Sequence, residues 1–358
     1  MNLKGGAMRA LVKPHKGPGL ELRDVPEPHT GRSEVKIRVL RTGLCGTDLH
    51  IESWDDFAQA HVSPGQIIGH EFYGEIVEVG ASVPEGEGID ELHVGQRISV
   101  EGHVVCRRCS NCRRGRHHMC LRTKSVGVDR DGAFADYVVV PARNVWVQPD
   151  EIDPDLGALF DPFGNAVHTA FQYPLATEDV LISGAGPIGT MAAAIAQQIG
   201  GRQIVLTDIN PARLELASGV GVTTVNVAEE DLRGVMAALG IREGFDVGLE
   251  MSGSPAAMAQ MIELCNFGAN IAMLGLPSGP YSIDWNTVIT RMLTLQGVYG
   301  RMMFDTWFKA TNLLTSFPGL REQVRSLITH RLPAQQWQEA FDIARSGSSG
   351  KVIMDWSV

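Results

Sequence analysis

Four cysteines carry the strongest chemical signal in the chain. Cys106, Cys109, Cys112 and Cys120 fall within fifteen residues, spaced C-x2-C-x2-C-x7-C. Disulfides closing loops this short gain little entropy and meet a restrictive geometry. The same spacing brings four thiolates around one ion, as a tetrahedral structural zinc site requires. An iron–sulfur site would have a shorter last gap followed by proline, whereas Leu121 follows Cys120. Cys45 lies in TGLCGTDLH, and His70 and Glu71 lie in IIGHEFYGE. Thiolate, imidazole and carboxylate are all zinc ligands, and a catalytic zinc takes about three of them plus an exchangeable position. Each of the three also has an ordinary reading, as a core cysteine or a surface histidine and glutamate. Residue types and spacing therefore leave a second zinc open. Cys265, in IELCNFG, reads as a small buried hydrophobe.

A second kind of chemistry is written in Gly184-Ala185-Gly186-Pro187-Ile188-Gly189, a G-x-G-x-x-G hexapeptide. It follows the strand-like VLIS, opens the helix-like MAAAIAQQIG, and is followed 19 positions later by Asp208 at the end of QIVLTD. In this setting the first glycine makes the turn, the second admits a pyrophosphate and the third lets helix and strand pack closely. A helix N-terminus supplies amide donors for the phosphates. Asp208 would accept the adenosine ribose hydroxyls and repel a 2′-phosphate, which favours NAD over NADP.

These residues need two kinds of scaffold. Residues 8–150 alternate short apolar runs (ALVKP, VKIRVL, YGEIVEVG, RISVEG, ADYVVVP) with Gly- and Pro-bearing turns, the pattern of a β-rich domain. From Asp179 the rhythm becomes strand–helix–strand: VLIS, MAAAIAQQIG, QIVLTD, PARLELASGVG, FDVGLEM, then NIAMLG. That alternation predicts an α/β doubly wound parallel sheet. After about residue 300 come helix-like AFDIARSG and a last strand, KVIMDW. The expected division is 1–160 with 300–358 for the zinc-binding β-rich domain, and 161–299 for the Rossmann NAD-binding domain.

Composition agrees. The chain has 358 residues, 44% hydrophobic and 20% charged, enough for two or three globular domains. A net charge of −10 disfavours a general nucleic-acid or acidic-membrane binder. The start, MNLKGGAMRALVKPHKG, has no secretory apolar core, so a cytoplasmic enzyme is expected. Val180 to Gly201 runs 22 residues without a charge, but its glycines and Pro187 break it into strand, turn and helix, so no membrane span is expected. The cysteine lobe also holds Arg107, Arg108, Arg113, Arg114, Arg116 and Arg122. It reads as a solvated or subunit-contact lobe, with phosphate gripping as the lesser alternative. PEGEGIDE (84–91) reads as an acidic surface loop.

Taken in order, GLCGTD, GHEFYGEIVEVG, the four-cysteine lobe and SGAGPIG resemble the zinc-dependent medium-chain alcohol dehydrogenase family, from Met8 to Trp356. The resemblance implies a GroES-like catalytic domain beside the Rossmann domain. Within the family, GLCGTDLHIESWD, EGHVVC, LFDPFGNAVHTAF, EGFDVGLEMSG, YSIDW, VYGRMMFDTW and SGSSGKVI are most similar to the members that oxidise L-threonine. These use NAD, make 2-amino-3-ketobutyrate and are typically cytoplasmic homotetramers. Carried over, the resemblance assigns Cys45, His70 and Glu71 to a catalytic zinc and the cysteine lobe to a structural one. Thr47 and His50 match a proton-relay pair, Asp161 an acidic position beside the zinc, and His103 a substrate-facing histidine. Ile188, Asp208, Arg213, Leu274, Gly275, Leu276, Val298 and Tyr299 match NAD contacts. The loop at 84–91 is longer than the family's usual one. Two other functions fit parts of the pattern: a related polyol or secondary-alcohol dehydrogenase, and a non-enzymatic zinc-knuckle protein that binds nucleic acid.

Overall fold

The structure is a computed structural model that describes residues 6–84 and 91–358. The acidic segment read as a surface loop therefore lies, apart from its two ends, outside the described residues. The chain forms two compact units. One runs to Asp161 and takes up Ile328–Ser346 and Lys351–Val358; the other holds Pro162–Leu327 and Gly347–Gly350.

The first unit is β-rich, as the alternation of its apolar runs predicts. In the strand Glu34–Gly43, Val35, Ile37 and Val39 are buried while the residues between them are not, the period-two signature of a sheet with one packed face. This strand is the hub of a seven-stranded sheet. Its path runs Ile328–Pro333, Lys351–Asp355, Glu34–Gly43, Glu71–Val79, Arg97–Val100 and Val145–Val147, and Tyr137–Pro141 also pairs with the hub. The pairing sets Gly43 opposite both Glu71 and Ile353. The C-terminal strand and the strand that follows His70 thereby flank Glu34–Gly43 on its two sides. Ile37, Ile51, Ile68, Ile76 and Phe134 are fully buried in the core of this unit.

The second unit is built on a six-stranded sheet in which every pairing is parallel. Its order is Thr223–Asn226, Gln203–Asp208, Asp179–Ser183, Phe245–Glu250, Cys265–Met273 and Thr294–Gly297. Asp179–Ser183 is buried along its whole length, as a central parallel strand must be. Chain direction across the sheet reverses at this strand, so its C-terminal end is the switch point where open α/β sheets bind ligands. The uncharged stretch resolves into that strand, the glycine turn and the twelve-residue helix Pro187–Gln198. Among the described residues no helix is long and apolar enough to cross a membrane.

The return to the first unit comes at Ile328 and not near residue 300. Helices Asp305–Ser316 and Pro318–Ser326 stay with the Rossmann unit because they bury Trp307, Ala310, Leu314, Leu320 and Val324 there. Gln323 Nε2 also donates to the Val220 carbonyl at 3.0 Å. Both helices are amphipathic, and amphipathicity alone does not reveal which core a helix joins.

Candidate active site

Helix Gly46–Ser53 organises the first cluster. Cys45 is its N-cap, in extended conformation, and the Cys45 N–H donates to Asp48 Oδ2 at 2.9 Å. Thr47 Oγ1 lies 3.8 Å from Cys45 Sγ. His70 precedes and Glu71 opens the strand Glu71–Val79, after Gly69, whose φ of +91° and closeness to Phe134 exclude a side chain. One donor atom each from Cys45, His70 and Glu71 lies within 4.8 Å of the others. Glu71 is buried, and Lys351 Nζ donates to its Oε2 at 2.5 Å and to the Leu44 carbonyl at 2.7 Å. A Cβ at Gly43 would sit 2.3 Å from that Oε2, so only glycine leaves room for the carboxylate.

The cluster fits a divalent ion. His70 Nδ1 is buried without a hydrogen-bond partner, as is Asp48 Oδ1, and the two atoms are 3.8 Å apart. Burial pushes the Asp48 carboxyl up to about 6, against the pull of His70. A carboxylate placed beside the ring of a metal-binding histidine is the usual outer support of that ligand.

The remaining expected residues take distinct places. Asp161 is buried, and a Cβ at Gly102 would lie 3.8 Å from its Oδ2 and 3.9 Å from the His70 Cβ. It thus stands close to His70 but outside the three-donor cluster. His103 Nδ1 is 3.1 Å from Oε1 of the fully buried Glu101, which also accepts the His103 N–H at 2.9 Å. His50 is exposed, in the last turn of its helix. Lys351, Asp48 and Glu101 were not read from the sequence. The only available signal was a buried position for a charged residue, and burial of one charge is visible only once its partner is placed.

The four thiols of the second cluster also lie within 4.8 Å of one another, and all are free. A two-stranded ribbon, His103–Val104 with Lys124–Ser125, closes the base of the lobe. Cys120 Sγ accepts the Cys106 and Arg122 N–H groups at 3.3 Å, and Cys106 Sγ accepts that of Cys109 at 3.4 Å. The amides of Cys112 and Leu121 pull the Cys109 thiol down to about 6. Burial pushes the neighbouring Cys112 thiol up to about 12, and a metal, which takes the deprotonated form, would hold both as thiolates. Cys109→Ser is expected to lower the melting temperature and release one zinc of two, read by calorimetry and metal analysis. Melting like the parent protein would remove the structural role.

The glycine turn of the second unit behaves as its spacing predicts. Gly184 has φ +97°, a Cβ at Gly186 would meet nothing within 4 Å, and one at Gly189 would lie 1.9 Å from the Gly184 carbonyl. The middle glycine therefore faces open space at a helix N-terminus, and the last holds helix against strand. Asp208 ends the neighbouring strand. Its Oδ2 accepts the Ala185 N–H at 2.8 Å, and its Oδ1 accepts those of Ile209 and Asn210. Arg213 Nε donates to the Gly347 carbonyl at 3.1 Å. The loop Leu274-Gly275-Leu276 is fixed by the Leu274 and Gly275 amides on the Glu250 carbonyl. The buried Glu250 carboxylate, missed in the sequence, gathers Ser183 Oγ and the amides of Ser252 and Gly253. The Val298 N–H donates to the Met273 carbonyl, and Tyr299 is exposed. Asp208→Ala is expected to weaken NAD binding and relax discrimination against NADP. An unchanged ratio of the two affinities in a fluorescence titration would remove Asp208 from cofactor selection.

Comparison with known proteins agrees with both halves. Residues 31–150 match the alcohol dehydrogenase GroES-like domain family, and residues 187–316 match the zinc-binding dehydrogenase family. The chain belongs to the zinc-binding medium-chain alcohol dehydrogenase family and is an oxidoreductase. Its relatives narrow this further. The L-threonine 3-dehydrogenase of Saccharopolyspora erythraea is 51% identical, covering 98% of this chain and 100% of that one. Those of Streptomyces avermitilis and Salmonella gallinarum are 52% and 50% identical with the same coverage. Among solved structures, galactitol-1-phosphate dehydrogenase from Escherichia coli has a TM-score of 0.86 at 26% identity, covering 97% of this chain and 100% of that one. A zinc-binding dehydrogenase of Sinorhizobium meliloti bound to NADP has the same score and identity, with 98% and 99% covered.

Proposed function

We propose that this chain is an NAD-dependent L-threonine 3-dehydrogenase that oxidises the β-hydroxyl of L-threonine to the ketone of 2-amino-3-ketobutyrate. The carrying observation is the Cys45–His70–Glu71 cluster, in a chain half identical along its length to proteins of that name. Cys45, His70 and Glu71 would hold a catalytic zinc, and Cys106, Cys109, Cys112 and Cys120 a structural one. A zinc ion at the first site supplies Lewis acidity, which lowers the pKa of bound water from about 15.7 to about 7 and acts on an alcohol in the same sense. Gly184, Gly186, Ile188 and Gly189 would hold the pyrophosphate of NAD. Asp208 and Arg213 take the adenosine side. Leu274, Gly275, Leu276, Val298 and Tyr299 would hold the nicotinamide side, and NAD when bound would supply the hydride acceptor. Thr47 passes the hydroxyl proton towards His50, whose exposed imidazole releases it to solvent. Asp161 adds negative charge beside His70. His103, oriented by Glu101, faces the substrate.

The enzyme works as a cytoplasmic homotetramer in this reading. Six cysteines with no disulfide among them suit a reducing compartment. Beside the edge strand Thr294–Gly297, the side chains of Trp285, Ile289 and Met292 are exposed, the surface expected of a subunit contact. The test is the rate of NADH formation from L-threonine, L-allo-threonine, D-threonine, sorbitol and 2,3-butanediol. L-threonine is expected to give the highest kcat/KM. Preference for a polyol or diol would replace the substrate and keep the family.

A further inference from the structure

We propose that Asp55 is a positioning residue that holds His50 by its Nδ1, leaving Nε2 as the proton acceptor. The inference rests on the place given to His50 in the proton path above. An exposed histidine at a helix end is free to turn among rotamers, and a freely turning ring is a poor relay. His50 is not free: its Nδ1 lies 2.5 Å from Asp55 Oδ2.

Asp55 is itself held from both sides. Its Oδ1 accepts the Ala58 N–H at 3.2 Å as the N-cap of helix Asp56–His61. Before it, Trp54 takes the left-handed conformation, φ 61°, and turns the chain back over the end of helix Gly46–Ser53. The Trp54 ring lies 4.9 Å from Nζ of Lys13. Lys13 is fully buried and donates to the carbonyls of Gly19, Ile51 and Glu52, two of them in the last turn of the His50 helix. A cation there also suits the helix dipole. The Phe57 ring, with its centroid 6.3 Å from that of His50, stands beside the imidazole.

The chemistry follows from the partner. A carboxylate only accepts, so Nδ1 must carry a proton, and neutral His50 presents Nε2 as its base. The same carboxylate stabilises the imidazolium formed when the proton arrives. One aspartate thus caps one helix and sets the tautomer at the end of the preceding one.

The test uses the full-length holoenzyme. Asparagine caps helices as well as aspartate does. In Asp55→Asn the amide carbonyl can keep the cap while the NH2 faces Nδ1 and reverses the tautomer. We expect kcat with L-threonine to fall by about 10- to 100-fold with KM nearly unchanged. The melting temperature should hold, and the nitrogen NMR signals of His50 should change from the Nδ1–H to the Nε2–H pattern. Asp55→Glu should restore part of kcat. His50→Gln serves as the comparator. If His50→Gln loses kcat while Asp55→Asn keeps parental turnover and parental His50 signals, the positioning role is overturned and the relay stands. Undiminished kcat in His50→Gln would overturn the relay and this inference with it.

Discussion

Cys45→Ser is expected to lose the catalytic zinc and lower threonine oxidation by at least about a thousandfold, while NAD binding stays close to that of the parent protein. The thiolate is one of three protein donors, and serine at neutral pH offers a protonated hydroxyl, a far weaker ligand. Without the ion, the substrate hydroxyl keeps its proton, and the several kcal/mol of charge stabilisation that the metal supplies are lost. Each 1.36 kcal/mol corresponds to a factor of ten in rate. NAD binding should survive because the glycine turn, Asp208 and the Glu250-braced loops belong to the second unit, and Cys45 belongs to the first. Metal analysis, steady-state kinetics and a nucleotide titration on one preparation separate these effects. Normal turnover with one zinc missing would remove Cys45 from the reaction.

The second large effect is expected at Lys351, which reached the site only through the fold. Lys351 and Glu71 are both buried, and the ammonium is the neutralising partner of a carboxylate that has almost no access to water. Removing one partner of such a pair is costly because the other is left charged in a poor solvent. Lys351→Met should therefore destabilise the first unit by about 3–5 kcal/mol and weaken metal retention. Adding Glu71→Gln should recover part of the stability, since the orphaned charge disappears, without recovering activity. Denaturant unfolding of the single and double variants reads this directly. Equal stability of Lys351→Met and the parent protein would mean that the pair contributes nothing net.

The metal and nucleotide chemistry was legible because it depends on residue type at short spacing. The cysteine lobe, the glycine hexapeptide and Asp208 each lie within a few residues of their working partners or follow a strand–turn–helix rhythm. The apolar periodicity likewise foretold Glu34–Gly43, Asp179–Ser183 and Pro187–Gln198. The joining of Cys45 with His70 and Glu71 was not legible from spacing, since it depends on a strand pairing that sets Gly43 opposite Glu71. Resemblance to the family supplied it. Lys351, Asp48, Glu101 and Glu250 escaped notice because a charged residue in isolation reads as solvated surface. Lys351 is buried against Glu71 of another strand, Asp48 faces His70, Glu250 takes Ser183 of the neighbouring strand, and Glu101 is buried against His103 two residues on. The Rossmann boundary slipped from 300 to 328 for a related reason: amphipathic helices such as Asp305–Ser316 announce a buried face but not the core that buries it.

The most direct measurement is NADH formation from NAD and L-threonine before chelation, after removal of metal, and after zinc is returned. Clear turnover, its loss on chelation and its recovery with zinc are expected, together with two zinc ions per subunit in the active enzyme. Full turnover with L-threonine in protein shown by metal analysis to be empty at the Cys45 site would contradict zinc-dependent oxidation.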